Sequence, residues 1–164
     1  MAKYNTVAKR IVAAIIDGIV FLPFSFTDSL ISNNRLYFFI VGLLYLLLWS
    51  IYTLVLHCHY GQTLGKKIME IKLYNIDEIH TLSFKRAFLR ESIWIVGQLF
   101  ILIFFTIKSL KDPQINEEIL ENYGDCAGLL TMLWITIELI TVLTNSKKRS
   151  IQDFIANSVV LKVN

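Results

Sequence analysis

Leu36–Leu56 reads LYFFIVGLLYLLLWSIYTLVL, a run of 21 residues without a charge and with only Ser50 and Thr53 as polar non-aromatic side chains. Roughly 20 predominantly apolar residues cross a bilayer core of about 30 Å, with about 17–25 tolerated. This run meets that requirement by itself. Three further apolar blocks lie around it, at Ile11–Phe26, Ser92–Leu110 and Ala127–Thr144. The first and last carry one carboxylate each, Asp17 and Glu138, and would also suit helices buried in a soluble core. A 164-residue chain that must already cover Leu36–Leu56 has no such core left to offer. Composition agrees: 55% of the residues are hydrophobic, 18% are charged, and mean hydropathy is +0.56, whereas soluble domains carry roughly 25% charged residues. The expected fold class is an all-α integral membrane protein, a single domain over residues 1–164. Its four transmembrane helices fall near 11–26, 36–56, 88–110 and 127–144, with a tail over 145–164.

The flank Lys3, Lys9, Arg10 resembles that of a signal peptide. Asp17 interrupts the apolar region, however, and no small-x-small cleavage site follows Phe26, so the first helix is expected to stay. Orientation follows from the basic residues. Four crossings place 13 of them on one side, in the amino terminus, the middle loop and the tail. Only Arg35, Lys108 and Lys111 fall on the other side, where 111–125 is acidic. Both termini are therefore expected in the cytoplasm, in a multi-pass protein of the cell inner membrane. Cys58 and Cys126 lie at opposite faces, beyond disulfide reach. A net charge of +3 calls for no nucleic acid, since basic juxtamembrane residues meet anionic lipid at the cytoplasmic face.

The middle segment, His57 to Arg90, holds most of the polar signals. Gly61-Gln62-Thr63-Leu64-Gly65-Lys66-Lys67 follows the second helix directly, with two glycines four apart that suit a tight turn or close backbone packing. Residues 66–82 read as a short hairpin or an interfacial helix, between which periodicity does not decide. Ser83 is placed to cap the third helix. Gly124 and Gly128 have small-xxx-small spacing.

Together these landmarks resemble the RDD family of bacterial membrane proteins, named for one arginine and two aspartates. Arg10 and Asp17 match the arginine opening the first helix and the aspartate within it. Gly61, Thr63, Leu64, Gly65 and Lys66 match a Gly-x-Thr-Leu-Gly-Lys stretch, and Arg86 and Arg90 match arginines leading into the next helix. Near the carboxyl end, Asp153 and Ala156 match a His-Asp-x-x-Ala-Gly-Thr-like stretch, in which Gln152, Asn157 and Ser158 replace His, Gly and Thr. The missing histidine removes a group that titrates near neutral pH. The resemblance implies either sodium/proton exchange or partnership with another membrane protein, and it bears more on architecture than on activity.

Charges in a membrane helix cost about 2.5–3.5 kcal/mol each at its centre, so they face the bundle interior and pair. Arg10 and Asp17 share a face about 10 Å apart along the axis, which sends each to a partner elsewhere; for Arg10 the expected partner is Asp153. Asp17, Ser50, Gln98 and Glu138 each lie six residues inside the ends of their blocks, about 9 Å below the inner boundary. One polar layer with two carboxylates would suit a cation or shared protons. Alternatively, Asp17 and Glu138 pair separately with Arg90, Arg10 or backbone groups and only hold the bundle.

His57-Cys58-His59 lacks the four ligands of a structural zinc site and reads as an interfacial belt. No metal or cofactor is expected. Without a catalytic triad, a phosphate loop or a paired His–Glu motif, an enzyme is not expected either. Two classes remain: a small cation/proton exchanger, oligomeric because four helices enclose little space, or a scaffold or regulatory partner of another membrane protein.

Overall fold

The computed structural model describes residues 2–25, 35–111 and 117–163. Helices α1 (Val7–Ser25) and α2 (Arg35–His59) are followed by a one-turn helix α3 (Leu64–Ile68) and a strand β1 (Ile71–Asn75). Two long helices come next, α4 (Phe84–Lys111) and α5 (Glu117–Thr144), and then a short helix α6 (Ile151–Ile155) and a strand β2 (Ser158–Lys162).

Among the described residues, three helices are long and apolar enough to cross a membrane, over Phe39–His59, Phe84–Lys108 and Asn122–Thr144. The fourth expected crossing, α1, is not among them; its 19 residues include Lys9, Arg10 and Asp17. Only 6% of the Asn122–Thr144 window is buried within the protein. Leu129, Met132, Leu133, Ile135 and Ile140 face outward instead. In a membrane that face contacts lipid at no hydrophobic cost.

Helix starts depart from the expected bounds because the backbone spiral continues past the apolar block into charged turns. Thus α4 begins at Phe84, before Lys85, Arg86 and Arg90, with the Ser83 carbonyl accepting from Ala87 N at 2.9 Å. Gly124 and Gly128 give no close helix packing: a Cβ at either would meet nothing within 4 Å.

The larger correction concerns residues 66–82 and the tail. The segment after α2 is neither a local hairpin nor only an interfacial helix. It forms α3 and then β1, whose antiparallel partner is the carboxyl-terminal β2, with Leu73 opposite Val160 and Asn75 opposite Ser158. The tail after α5 folds back onto α1, as the expected Arg10–Asp153 pairing requires, and does so as ordered elements. Ser150 and Asp153 form a reciprocal capping box that starts α6, satisfying two backbone donors a short helix would otherwise leave open. The sheet drives Ile71, Leu73, Val159 and Val160 to complete burial, where Ile71, Leu73 and Val160 cluster with Ala13, Leu82, Ala87 and Ala156. The amino terminus joins the same end. Lys3 and Tyr4 both bond Glu78, Lys3 at 2.5 Å, and Lys147 comes within 3.7 Å of it. A second, smaller core of Ile101, Leu102 and Phe105 lies farther along α4.

Candidate functional site: a buried charge network

The polar residues of the middle segment fold back onto the helices they follow. Asp17, only 6% exposed on α1, accepts from Thr63 Oγ1 at 2.6 Å, Tyr52 OH at 2.7 Å and the Gly65 backbone N–H at 2.8 Å. Thr63 is also the N-cap of α3, and Tyr52 OH accepts in turn from Leu64 N at 3.0 Å. The two glycines now have reasons. Gly61 has φ +68°, in the left-handed region where an L side chain is strained. At Gly65 a Cβ would sit 2.0 Å from the Ala13 carbonyl oxygen, so only glycine lets α3 lie against α1. Gly-x-Thr-Leu-Gly-Lys is, in physical terms, a cradle for one carboxylate.

A second group is built around Asp153, which is fully buried on α6. Arg10 Nη1 lies 2.7 Å from Asp153 Oδ2, the pairing expected from the sequence, and Arg90 Nε lies 3.3 Å from Oδ1. Ser150 N and Ser158 Oγ add hydrogen bonds at 3.1 and 3.2 Å. Burial opposes this charge, but the Arg10 and Arg90 cations and the Ser150 N–H outweigh it and hold the carboxyl well below the usual range. Arg149 fastens the turn, bonding the Asp153 and Ser158 carbonyls and stacking over Phe154.

The network continues through residues whose part was not anticipated. Arg90 Nη1 meets Glu91 Oε1 at 2.7 Å, and His57 Nδ1 is 3.2 Å from the same oxygen. His57 Nε2 lies 2.5 Å from Lys66 Nζ. Close polar contacts thus run from α1 through α6, α4 and α2 to α3, with His57 Nδ1 near Glu91 but outside hydrogen-bond geometry. Glu91 was missed because it directly follows Arg90 and reads as a pair that cancels locally. His57, which the sequence places in an interfacial belt, is instead buried at 1% exposure. The available signal was one histidine and one acid at the terminal ends of two spanning helices.

The expected polar layer separates into independent contacts. Glu138, half-buried on α5, accepts from Gln152 N at 3.3 Å, and Ser50 turns back to the Leu46 carbonyl. Gln98 is half-buried on α4 and joins neither. Asp17 and Glu138 share no partner among the described residues. A cleft between α4 and α5, lined by Ile93, Trp94, Gly97, Leu130, Trp134 and Ile137 among others, is apolar. Among the described residues no group of three or more His, Cys, Asp or Glu is placed to hold a metal.

Long apolar helices closed at one end by a buried charge network define a multi-pass membrane protein. The chain belongs to the RDD family, a family of membrane proteins whose sequence model matches residues 4–157. No curated protein and no solved structure matches it. Of the residues that carry the resemblance, the structure joins Arg10 to Asp153 and Asp17 to the glycine motif.

Proposed function

We propose that this protein is a non-enzymatic membrane scaffold, a structural or regulatory partner of another membrane protein. In this reading both termini face the cytoplasm and α1 is a fourth crossing. Ile11, Ile15, Ile19 and Leu22 of α1 are each about half exposed or more, an apolar face that lipid would cover. The excess of basic residues at the network end supports the orientation.

One observation carries the scaffold reading. Asp17, Glu91 and Asp153 are each already engaged by cations or hydrogen-bond donors of the protein itself. A carboxylate saturated in this way holds helices together, whereas one that exchanges a cation needs oxygens turned toward water. One feature favours cation/proton exchange instead. Glu138 sits half-buried in a spanning helix, where it accepts from Gln152 N only at a long 3.3 Å.

The two readings separate in liposomes. Purified protein should add no cation-dependent proton movement over protein-free vesicles under sodium or potassium gradients. Flux that disappears in Glu138→Gln while the fold is retained would establish exchange and end the scaffold reading.

A further inference from the structure

The short helix α3 is held at a depth that its neighbours define. Its first residues stand beside the apolar part of α1: Thr63 Oγ1 and Gly65 N both bond Asp17, and Gly65 packs on the Ala13 carbonyl. Leu64 N bonds the hydroxyl of Tyr52 at 3.0 Å, and Tyr52 lies about 10 Å inside the end of α2 at His59. The far end of α3 meets charged groups instead. Glu70 pairs with Lys9 at 3.2 Å, and its carbonyl accepts from Val163 N at 2.9 Å. Met69 packs against the core between these holds. The chain therefore leaves α2 at His59 and is brought back beside the apolar turns of α1 by Thr63.

We propose that α3 is a lipid-seated ramp in the cytoplasmic leaflet. It rises from the acyl boundary at Leu64 to the headgroup layer at Glu70, and phospholipid covers Leu64 and Ile68. This rests on α1 and α2 crossing the membrane, as proposed above, and not on the scaffold reading.

Leu64, Lys67 and Ile68 stand three and four residues apart and so share one face of the turn. That face is open. Leu64 is 46% and Ile68 64% exposed, and Lys67 is exposed and makes no ion pair among the described residues. Ile11, Val12 and Ile15, around Ala13 on α1, are exposed apolar residues at the same level. One cation between two apolar side chains suits a lipid surface. The lysine stem lies along the acyl chains while its ammonium reaches a phosphate. A protein surface seated there would have to bring its own acid for Lys67. The depth agrees as well. Ala13 to Asp17 lie about 4–10 Å beyond Arg10 along α1, and interfacial helices seat their apolar face about 5–10 Å into the headgroup–acyl boundary.

The test is depth, measured by spin labelling of full-length protein, one copy per nanodisc of phosphatidylglycerol and phosphatidylcholine. Single labels go at Leu64→Cys, Ile68→Cys, Ile15→Cys and His80→Cys in a Cys58→Ser, Cys126→Ser background. His80, with a side chain 73% exposed, is the reference for water, and Ile15 is the reference for the lipid face of α1. Oxygen concentrates in lipid and a nickel chelate in water. The oxygen-to-nickel collision ratio at Leu64 and Ile68 should exceed that at His80 several-fold, with Leu64 the higher of the two. A water-like ratio at Ile15 would remove the α1 crossing, and the ramp with it. A lipid-like ratio at Ile15 with water-like ratios at Leu64 and Ile68 overturns the ramp alone. So does poor access of both reagents to Leu64 and Ile68, which would mean that protein covers them, and so does a higher ratio at Ile68 than at Leu64.

Discussion

At the residue scale, the account rests on contacts where one atom decides. Gly65→Ala forces a Cβ onto the Ala13 carbonyl, a backbone atom that cannot swing aside. It should cost about 1–3 kcal/mol as overpacking, lowering the thermal midpoint in detergent. Gly124→Ala, with open space around it, should leave that midpoint unchanged, and equal effects would remove the cradle as an explanation of the glycine. For the Arg10–Asp153 pair, removing one partner leaves a buried charge alone, a loss of ~3–5 kcal/mol. Arg10→Asp or Asp153→Arg should therefore each lower folded yield. The double swap should recover only part of it, because Arg90 would then face a new cation at position 153. The same carboxyl sets a pH dependence. Its folded pKa is depressed, so its contribution is present above the ordinary value of 3.8 and fades as pH falls below it. The stability gap between wild type and Asp153→Asn should thus be constant near neutrality and shrink in strong acid. The Arg10–Asp153 contact was legible in the sequence, since both are boundary charges without a nearer partner of opposite sign. The Glu91–His57 contact was not, because each residue had a plainer reading beside its own chain neighbour.

At the scale of elements, hydropathy announces a spanning helix because its signal accumulates within one segment. Three of the four blocks accordingly form helices long and apolar enough to cross a membrane. Strand pairing is non-local and leaves no such trace. Neither Ile71–Asn75 nor Ser158–Lys162 points to the other across more than 80 residues of intervening chain. The alternation of β1 was visible, but two apolar positions in five residues fit a hairpin and an interfacial helix equally well. The sheet matters because it buries Leu73 and Val160 opposite each other. Val160→Asp would place an unpaired carboxylate in that core and should abolish folding, seen as loss of the monodisperse peak on size exclusion. Ile79→Asp, at a residue 73% exposed, should be tolerated. A monodisperse Val160→Asp protein would show that the two-stranded sheet is dispensable.

At the scale of the whole molecule, most of the basic residues lie at the same end as the charge network, so the orientation decides which side of the membrane the network faces. In sealed right-side-out cells, an impermeant thiol reagent should label Cys126, which is exposed, and leave Cys58 untouched. Labelling of Cys58 from outside would invert the proposed orientation. Whether the network is a lock on the bundle can be read from hydrogen exchange in nanodiscs, comparing wild type with Asp153→Asn. A lock predicts that the variant loses protection together over α6, β2 and β1, since Asp153 joins these elements to α1 and α4 through Arg10 and Arg90, while α5 keeps its own. Wild-type protection throughout those segments in the Asp153→Asn protein would contradict it.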